Sequence, residues 1–276
     1  MAMSIRTNIA SLNAQRNLGN TQSTLDSSMS RLSSGFRITK AGDDAAGLGI
    51  STKLESQIRS YAQAARNAND GISVIQSTES ALNESANILT RLRELAMQSA
   101  SDGIGDTERG YVQKEAGALV DELERIAQVT EYNGTKLLTG SASALDFQVG
   151  VANSANDRIQ FTAVDATTSA SGLNVTGLSL AGKASAQTAL ATIDTALGKV
   201  SDARAKLGAA GNRLESSIRN IQAFSESLSA ANSRIKDVDV AEETSRMARA
   251  NILSQAGVSV LAQANQLPQL ALKLLG

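Results

Sequence analysis

The sequence predicts a mainly α fold: a long antiparallel coiled-coil helical rod carrying a small β-hairpin insertion. Three observations predict it. Proline occurs once in 276 residues, at Pro268, so no proline interrupts a helix anywhere before it. Apolar residues recur at coiled-coil spacing over two long stretches. Between them the composition turns to Gly, Ser, Thr and Ala, with short alternating segments of strand type.

The first long stretch begins at Leu54. Spacings of four and three pick out Ile58, Tyr61, Ala65, Ala68, Ile72, Ile75, Glu79, Leu82, Ala86 and Leu89, and only Glu79 is charged. An ordinary amphipathic helix drifts out of a 3.5-residue register over that length, so the pattern reads as coiled coil. The second stretch runs from Leu190 through Ile193, Leu197, Val200, Arg204, Leu207, Gly211, Leu214, Ile218, Ile221, Ser225, Leu228 and Asn232 to Ile235. At about 1.5 Å per residue it spans roughly 70 Å, which predicts a rod rather than a compact globule.

A shorter helix is expected over about Thr107 to Thr130, with Ala116, Leu119, Leu123 and Ile126 on one face. Gly103 and Gly105 punctuate its approach, and Asn133-Gly134 marks a reversal at its exit. Phe147–Val149 and Ile159–Val164 alternate as a hairpin would, with Asn153, Asn156 and Asp157 in the connection. A third short strand is expected near Leu173 to Leu180.

The two ends are sparsely charged. Ile5, Ile9, Leu12, Leu18, Leu25, Met29 and Leu32 fall at helical spacings, and so do Leu253, Gly257, Val260, Ala264, Leu267, Ala271 and Leu274. Val258, Leu261 and Leu270 lie off the second stripe, so that helix is apolar nearly all round. Such a helix is buried all round, which a single partner helix cannot achieve. The alternative is a closed hairpin of the two ends within one chain. The reading adopted is self-assembly, with Ile5, Ile9, Leu12, Leu25, Leu32, Leu253, Val260, Leu261, Leu267 and Leu274 as the assembly interface.

Composition narrows the chemistry. Histidine and cysteine are absent, which removes Cys/His nucleophile pairs, His general bases, thiolate or imidazole metal sites and disulfides. Glu122 and Glu124 stand in an ordinary amphipathic helix rather than an acidic cluster. No catalysis, cofactor or metal is expected. Net charge is −1 and no Lys/Arg cluster occurs, so nucleic acid is not an expected partner. Residues 251–272 carry no charge, but Ser254, Gln255, Ser259, Gln263, Asn265, Gln266 and Gln269 interrupt them, and membrane insertion is not expected. The first residues contain no apolar core of a cleavable signal peptide.

Several segments are specific. Arg31-Leu-Ser-Ser-Gly-Phe-Arg-Ile-Thr-Lys-Ala-Gly-Asp-Asp-Ala-Ala-Gly-Leu-Gly-Ile50 and Asn67-Ala-Asn-Asp-Gly-Ile-Ser-Val-Ile-Gln76 closely resemble the N-terminal hallmarks of bacterial flagellin. Arg91-Leu-Arg-Glu-Leu-Ala-Met-Gln-Ser-Ala100 and Tyr132-Asn-Gly-Thr-Lys-Leu-Leu138 continue the resemblance. Met247-Ala-Arg-Ala-Asn-Ile-Leu-Ser-Gln-Ala-Gly257 and Ala262-Gln-Ala-Asn-Gln-Leu-Pro-Gln269 match the family's terminal helix. The resemblance covers roughly residues 1–140 and 185–276.

It implies a structural subunit of the flagellar filament, secreted and extracellular, and a short member lacking large surface domains. The alternative within the superfamily is a hook–filament junction protein. The implied division is an N-terminal inner-tube helix (1–35), a connector (36–45), rod helices with the hairpin (46–185, hairpin about 135–185), a long C-terminal rod helix (186–235), a second connector (236–243) and a C-terminal inner-tube helix (244–276). The terminal helices would then form a second coiled-coil layer on assembly. Gly35, Gly42, Gly47 and Gly49 crowd the junction after the first helix, and Asp43 and Asp44 are expected to cap the next helix.

The resemblance further implies type III export and a chaperone on about residues 240–276. Hook-associated and cap proteins would be further partners. A host Toll-like receptor that senses flagellin would recognise the positions matching Arg91, Leu95 and Glu115. Arg91 would offer a planar fork there and Leu95 an apolar contact.

Overall fold

The computed structural model describes residues 7–140 and 144–273, with side chains through Gln266. In chain order it contains α1 (Ile9–Ser34), α2 (Ala45–Ser99), α3 (Asp106–Val129), the strands β1 (Glu131–Tyr132), β2 (Thr135–Lys136), β3 (Leu145–Gln148) and β4 (Arg158–Phe161), then α4 (Lys183–Lys236) and α5 (Val240–Lys273). The mainly α class is as expected, with two antiparallel strand pairs, β1–β2 and β3–β4. The chain divides into two compact units, one of residues 57–226 and one of residues 1–56 with 227–276. With 55 and 54 residues, α2 and α4 are each about 80 Å long.

α2 begins well before the Leu54 of the periodic pattern. Asp44 starts it, its Oδ1 accepting from the Gly47 N–H at 2.8 Å, as an N-cap should. Asp43 does not share that role. Its Oδ2 accepts from the N–H groups of Thr39 and Lys40, both at 3.1 Å, and from the Thr39 hydroxyl at 3.0 Å, closing the preceding turn instead.

In the unit of residues 57–226 the core runs along α2, α3 and α4, with Leu82, Leu89, Leu92, Leu123, Ile193, Leu207 and Leu214 fully enclosed. Each such leucine removed from water contributes about 2 kcal/mol. One stripe expected on α2 is there: Ala68, Ile75, Leu82 and Leu89 are buried. Its companion is different. Ala65, Ile72 and Ala86 are only half-buried and Glu79 is exposed, whereas Ala64, Gly71, Thr78, Ser85, Leu92 and Ser99 are buried. The same correction applies to α4, where Ala189, Ala196, Ala203 and Ala210 accompany Ile193, Val200, Leu207 and Leu214 inward, in place of Leu197, Arg204 and Ile218. Small side chains let neighbouring backbones close up. Two of the buried hydroxyls are satisfied inside their own helix, Thr78 donating to the Val74 carbonyl at 2.7 Å and Ser85 to that of Ala81 at 3.0 Å, while Ser99 donates out of α2 to the Leu180 carbonyl.

Asn133 and Gly134 both take left-handed backbone, φ 50° and 76°, which makes the tight turn between β1 and β2. β3 and β4 pair from Leu145 with Phe161 to Gln148 with Arg158, so the expected hairpin is present. Ile159 and Phe161 point into the core, and Phe147 rests on Gly71 of α2, where a Cβ would lie 3.1 Å from the ring. No strand forms over residues 173–180. Left-handed Asn174 (φ 60°) and Gly177 (φ 83°) break any extended run, while Leu173, Val175 and Leu180 are still buried.

Arg109, buried in α3, closes the end of α2. It donates from Nε to the Ser99 carbonyl at 3.0 Å and from Nη2 to that of Ser101 at 2.9 Å. Those carbonyls have no partner further along the helix, and a cation there also suits the helix dipole.

Candidate assembly surfaces

Within the unit formed by the two chain ends, α1 and α5 run antiparallel against one another. Asn8 caps α1, its side chain accepting from the Ser11 N–H, and Gly35 ends it in left-handed conformation at φ 75°. A side chain at Gly35 would be strained. Asn8 Nδ2 donates to the Ala264 carbonyl at 2.7 Å, Ser11 Oγ to Asn265 Oδ1 at 2.8 Å, and Ser28 Oγ to Glu243 Oε1 at 2.5 Å. Leu18 fits over Gly257, whose missing Cβ would lie 3.3 Å from the leucine Cδ1.

The stripe of α5 turned toward α1 is Glu243, Met247, Ala250, Ser254, Gly257, Leu261 and Ala264, each buried or half-buried. The expected C-terminal stripe is therefore only partly used inside the chain. Gly257 and Ala264 face α1, whereas Leu253 and Val260 remain 53% and 54% exposed. On α1, Leu25 and Leu32 are half-buried, and Ile9 and Leu12 are exposed. Ile252 and Val258 add to the outward apolar set. Ile5 and Leu274 lie outside the described residues, as does the side chain of Leu267.

The links between the helices are short and paired. α4 ends at Lys236 and α5 begins at Val240, so only residues 237–239 lie between them. The Arg37 N–H donates to the Lys236 carbonyl at 2.6 Å and the Val238 N–H to that of Gly35 at 3.0 Å. The Lys236 ammonium lies 4.5 Å from the Phe36 ring centroid and is paired with Glu55.

Elsewhere, Arg91 projects from α2 and binds Glu115 of α3 through Nε at 3.1 Å and Nη2 at 2.8 Å, and Glu94 through Nη1 at 2.9 Å. The bond to Glu115, then that to Glu94, raises the Arg91 pKa above its ordinary value. All three side chains are about half exposed. Leu95 is not beside them in solvent: it is 1% exposed, enclosed in the core, and offers no apolar surface. Arg91 and Leu95 stand four residues apart, but α2 is buried over a wide arc here, with Leu92, Leu95, Ala96 and Ser99 all enclosed.

Among the described residues no group of three or more His, Cys, Asp or Glu is placed to hold a metal, and no helix is long and apolar enough to cross a membrane.

Two family models match. Residues 5–143 fit the bacterial flagellin N-terminal helical region and residues 190–275 the C-terminal helical region. The chain belongs to the bacterial flagellin family. A flagellin of Halalkalibacterium halodurans is 44% identical over 273 residues, covering 99% of this chain and all of that protein. A flagellar filament 33 kDa core protein of Treponema phagedenis is 40% identical, over 99% of this chain and all of its own length. Among solved structures, Bacillus cereus flagellin superposes with a TM-score of 0.50 at 30% identity, covering 56% of this chain and 88% of that one. A putative flagellar hook-associated protein of Vibrio parahaemolyticus gives a TM-score of 0.61 at 15% identity, covering 71% of this chain and 100% of that one. At that identity it shares a fold and nothing more. As a flagellin, this chain is a structural subunit of the flagellar filament.

Proposed function

We propose that this flagellin polymerises through the outward apolar residues of its terminal helices. The observation that carries the proposal is the exposure of Ile9, Leu12, Ile252, Leu253, Val258 and Val260 on a helix pair whose inner seam is already filled. Apolar surface on several sides of one helix pair needs several neighbours, and a helical homopolymer supplies them. The proposed interface extends to Ile5, Leu25, Leu32, Leu267 and Leu274, while Leu261, turned toward α1, contributes only the part of its side chain left exposed. α1 and α5 then form an inner tube.

The same apolar set gives an export chaperone reason to cover residues 240–276 before assembly. Passage through a type III apparatus as an unfolded chain suits a protein without disulfides. Growth at the filament tip would bring it against cap and hook-associated proteins, which share the need for helical partners at its ends. The Arg91–Glu115 surface is the place proposed for recognition by a flagellin-sensing Toll-like receptor, with Leu95 acting only as its support from within. The hook–filament junction reading has no observation in its favour beyond a shared fold.

Removal of residues 250–276 tests the assembly reading. The truncated chain should keep the far-ultraviolet dichroism and cooperative melting of residues 57–226, and form no filaments on seeding. Normal filaments from it would overturn the proposal.

A further inference from the structure

α5 has two faces capable of packing on α1, closely matched in apolar content. The one in use presents Met247 and Leu261 between small residues; the other would present Leu253 and Val260, and Gly257 and Ala264 belong to both. Exchanging them takes a turn of about half a residue step, roughly 50° about the helix axis. Apolar burial hardly discriminates between faces so similar. The polar contacts do.

In the observed orientation Glu243, only 4% exposed, receives the Ser28 hydroxyl, and Ser28 is itself 2% exposed. At the far end Ser11 meets Asn265, and Asn8 meets the Ala264 carbonyl. Turning α5 would carry Glu243 off Ser28. It would also bring Arg246, now half exposed and paired on its own helix with Glu242 at 2.6 Å and with the second oxygen of Glu243 at 3.9 Å, round to face α1. Among the described residues Glu243 and Arg109 are the buried charged side chains, and a buried carboxylate is tolerated only while its hydrogen bonds are made.

We infer that Glu243, acting through Ser28, is a positioning residue that sets the rotation of α5 on α1 and thereby holds Leu253 and Val260 outward for the next subunit. The second half of that statement rests on the assembly reading above. The first half does not.

The absence of cysteine from the chain allows a direct test. On the register fixed by Leu18 and Gly257, Thr21 lies at the level of Ser254. Full-length subunits carrying Thr21→Cys with Ser254→Cys report the observed face, and Thr21→Cys with Leu253→Cys reports the turned one. Disulfide formation within one chain is read as a linked peptide in a monomer-sized product. With Glu243 intact the first pair should close roughly ten-fold faster than the second, since disulfides tolerate little misorientation. Glu243→Ala should bring the two rates together and slow filament growth, and Glu243→Gln, which keeps an acceptor for Ser28, should restore the difference.

Equal preference for Ser254 in Glu243→Ala and Ser28→Ala chains would overturn the inference, leaving the three-residue link at 237–239 to set the rotation alone. Loss of both disulfides together with helicity would also count against it, because Glu243 would then be needed for pairing and not for choice of face. Leu253→Ser with Val260→Ser separates the two readings. These substitutions should stop growth while the rotation test in parallel chains is unaffected. Normal growth would sink the assembly reading and leave the rotational role standing.

Discussion

Glu124 reaches from α3 to Thr168 and accepts two hydrogen bonds there with one carboxylate oxygen, from the backbone N–H at 2.8 Å and from the hydroxyl at 2.9 Å. Its other oxygen accepts from Gln128 at 2.9 Å. The Thr168 N–H first, and Gln128 next, hold its pKa below the ordinary glutamate value. This clamp fixes the irregular segment that buries Leu173, Val175 and Leu180. Glu124→Ala is expected to cost about 0.5–1.5 kcal/mol, the net worth of an ordinary hydrogen bond, because the carboxylate is only half-buried, and to speed amide exchange at Val175 and Thr176. A depressed carboxylate pKa stabilises the fold above the unfolded value and ceases to do so as pH falls through the folded one. The melting difference between parent and Glu124→Ala should therefore be full at neutral pH and shrink below about pH 4.5. A difference independent of pH would point to packing instead.

Asp43 offers a second titration. Two backbone N–H groups, of Thr39 and then Lys40, lower its pKa from 3.8 to about 2, helped by the Thr39 hydroxyl and by Arg31. The turn ahead of α2 should accordingly stay closed down to the window between 3.8 and about 2, and open within it. A carboxyl resonance of Asp43 titrating near 2 checks this, and a midpoint at the ordinary aspartate value would refute the three-bond turn. Asp43→Asn should loosen residues 39–43 at neutral pH without shortening α2, whose cap is Asp44.

The corrected seam of α2 makes a comparison of adjacent residues informative. Ser85 is 1% exposed, whereas Ala86, its neighbour, is half-buried. Ser85→Leu has no room and should cost about 1–3 kcal/mol by overpacking, lowering the melting temperature of the unit of residues 57–226. Ala86→Leu should be close to neutral. The reverse order would restore the stripe of Ala65, Ile72 and Ala86 as the packing face.

The reason that seam was hidden applies to much of the chain. Ile75, Leu82 and Leu89 on α2, and Ile193, Leu207 and Leu214 on α4, advertise a heptad through their size, so helix existence and one buried stripe were legible in the sequence. The companion stripe is Ala, Gly, Ser and Thr, types that occur as often on surfaces, and only neighbouring backbones pressed close reveal it. Asn133-Gly134 announced its turn because two successive left-handed residues need that chemistry. Leu173 to Leu180 looked like a strand because its apolar residues are buried, but Asn174 and Gly177 decide the backbone there. Polar contacts over long separations, such as Glu124 with Thr168 and Ser28 with Glu243, leave no local pattern at all. The exposed half of α5 was legible in kind, as an apolar surplus, though not in which residues face out.

Arg91 and Leu95 were expected to act together, and their separation gives the sharpest test of the proposed receptor surface. Leu95→Ala removes a fully enclosed side chain and should cost about 2–5 kcal/mol, visible as a lower melting temperature. Well below that temperature, the folded subunits should bind the receptor ectodomain as the parent does, because the leucine offers nothing to touch. Arg91→Ala breaks half-exposed, solvent-screened pairs with Glu115 and Glu94 and should leave the melting temperature nearly unchanged. It should nevertheless weaken receptor binding, since a planar guanidinium held by Glu115 is lost from the surface. Binding by Arg91→Ala equal to the parent, with the melting temperature unchanged, would remove this face from the recognition surface. Loss of binding by well-folded Leu95→Ala subunits would instead mean that the core beneath Arg91 sets its position.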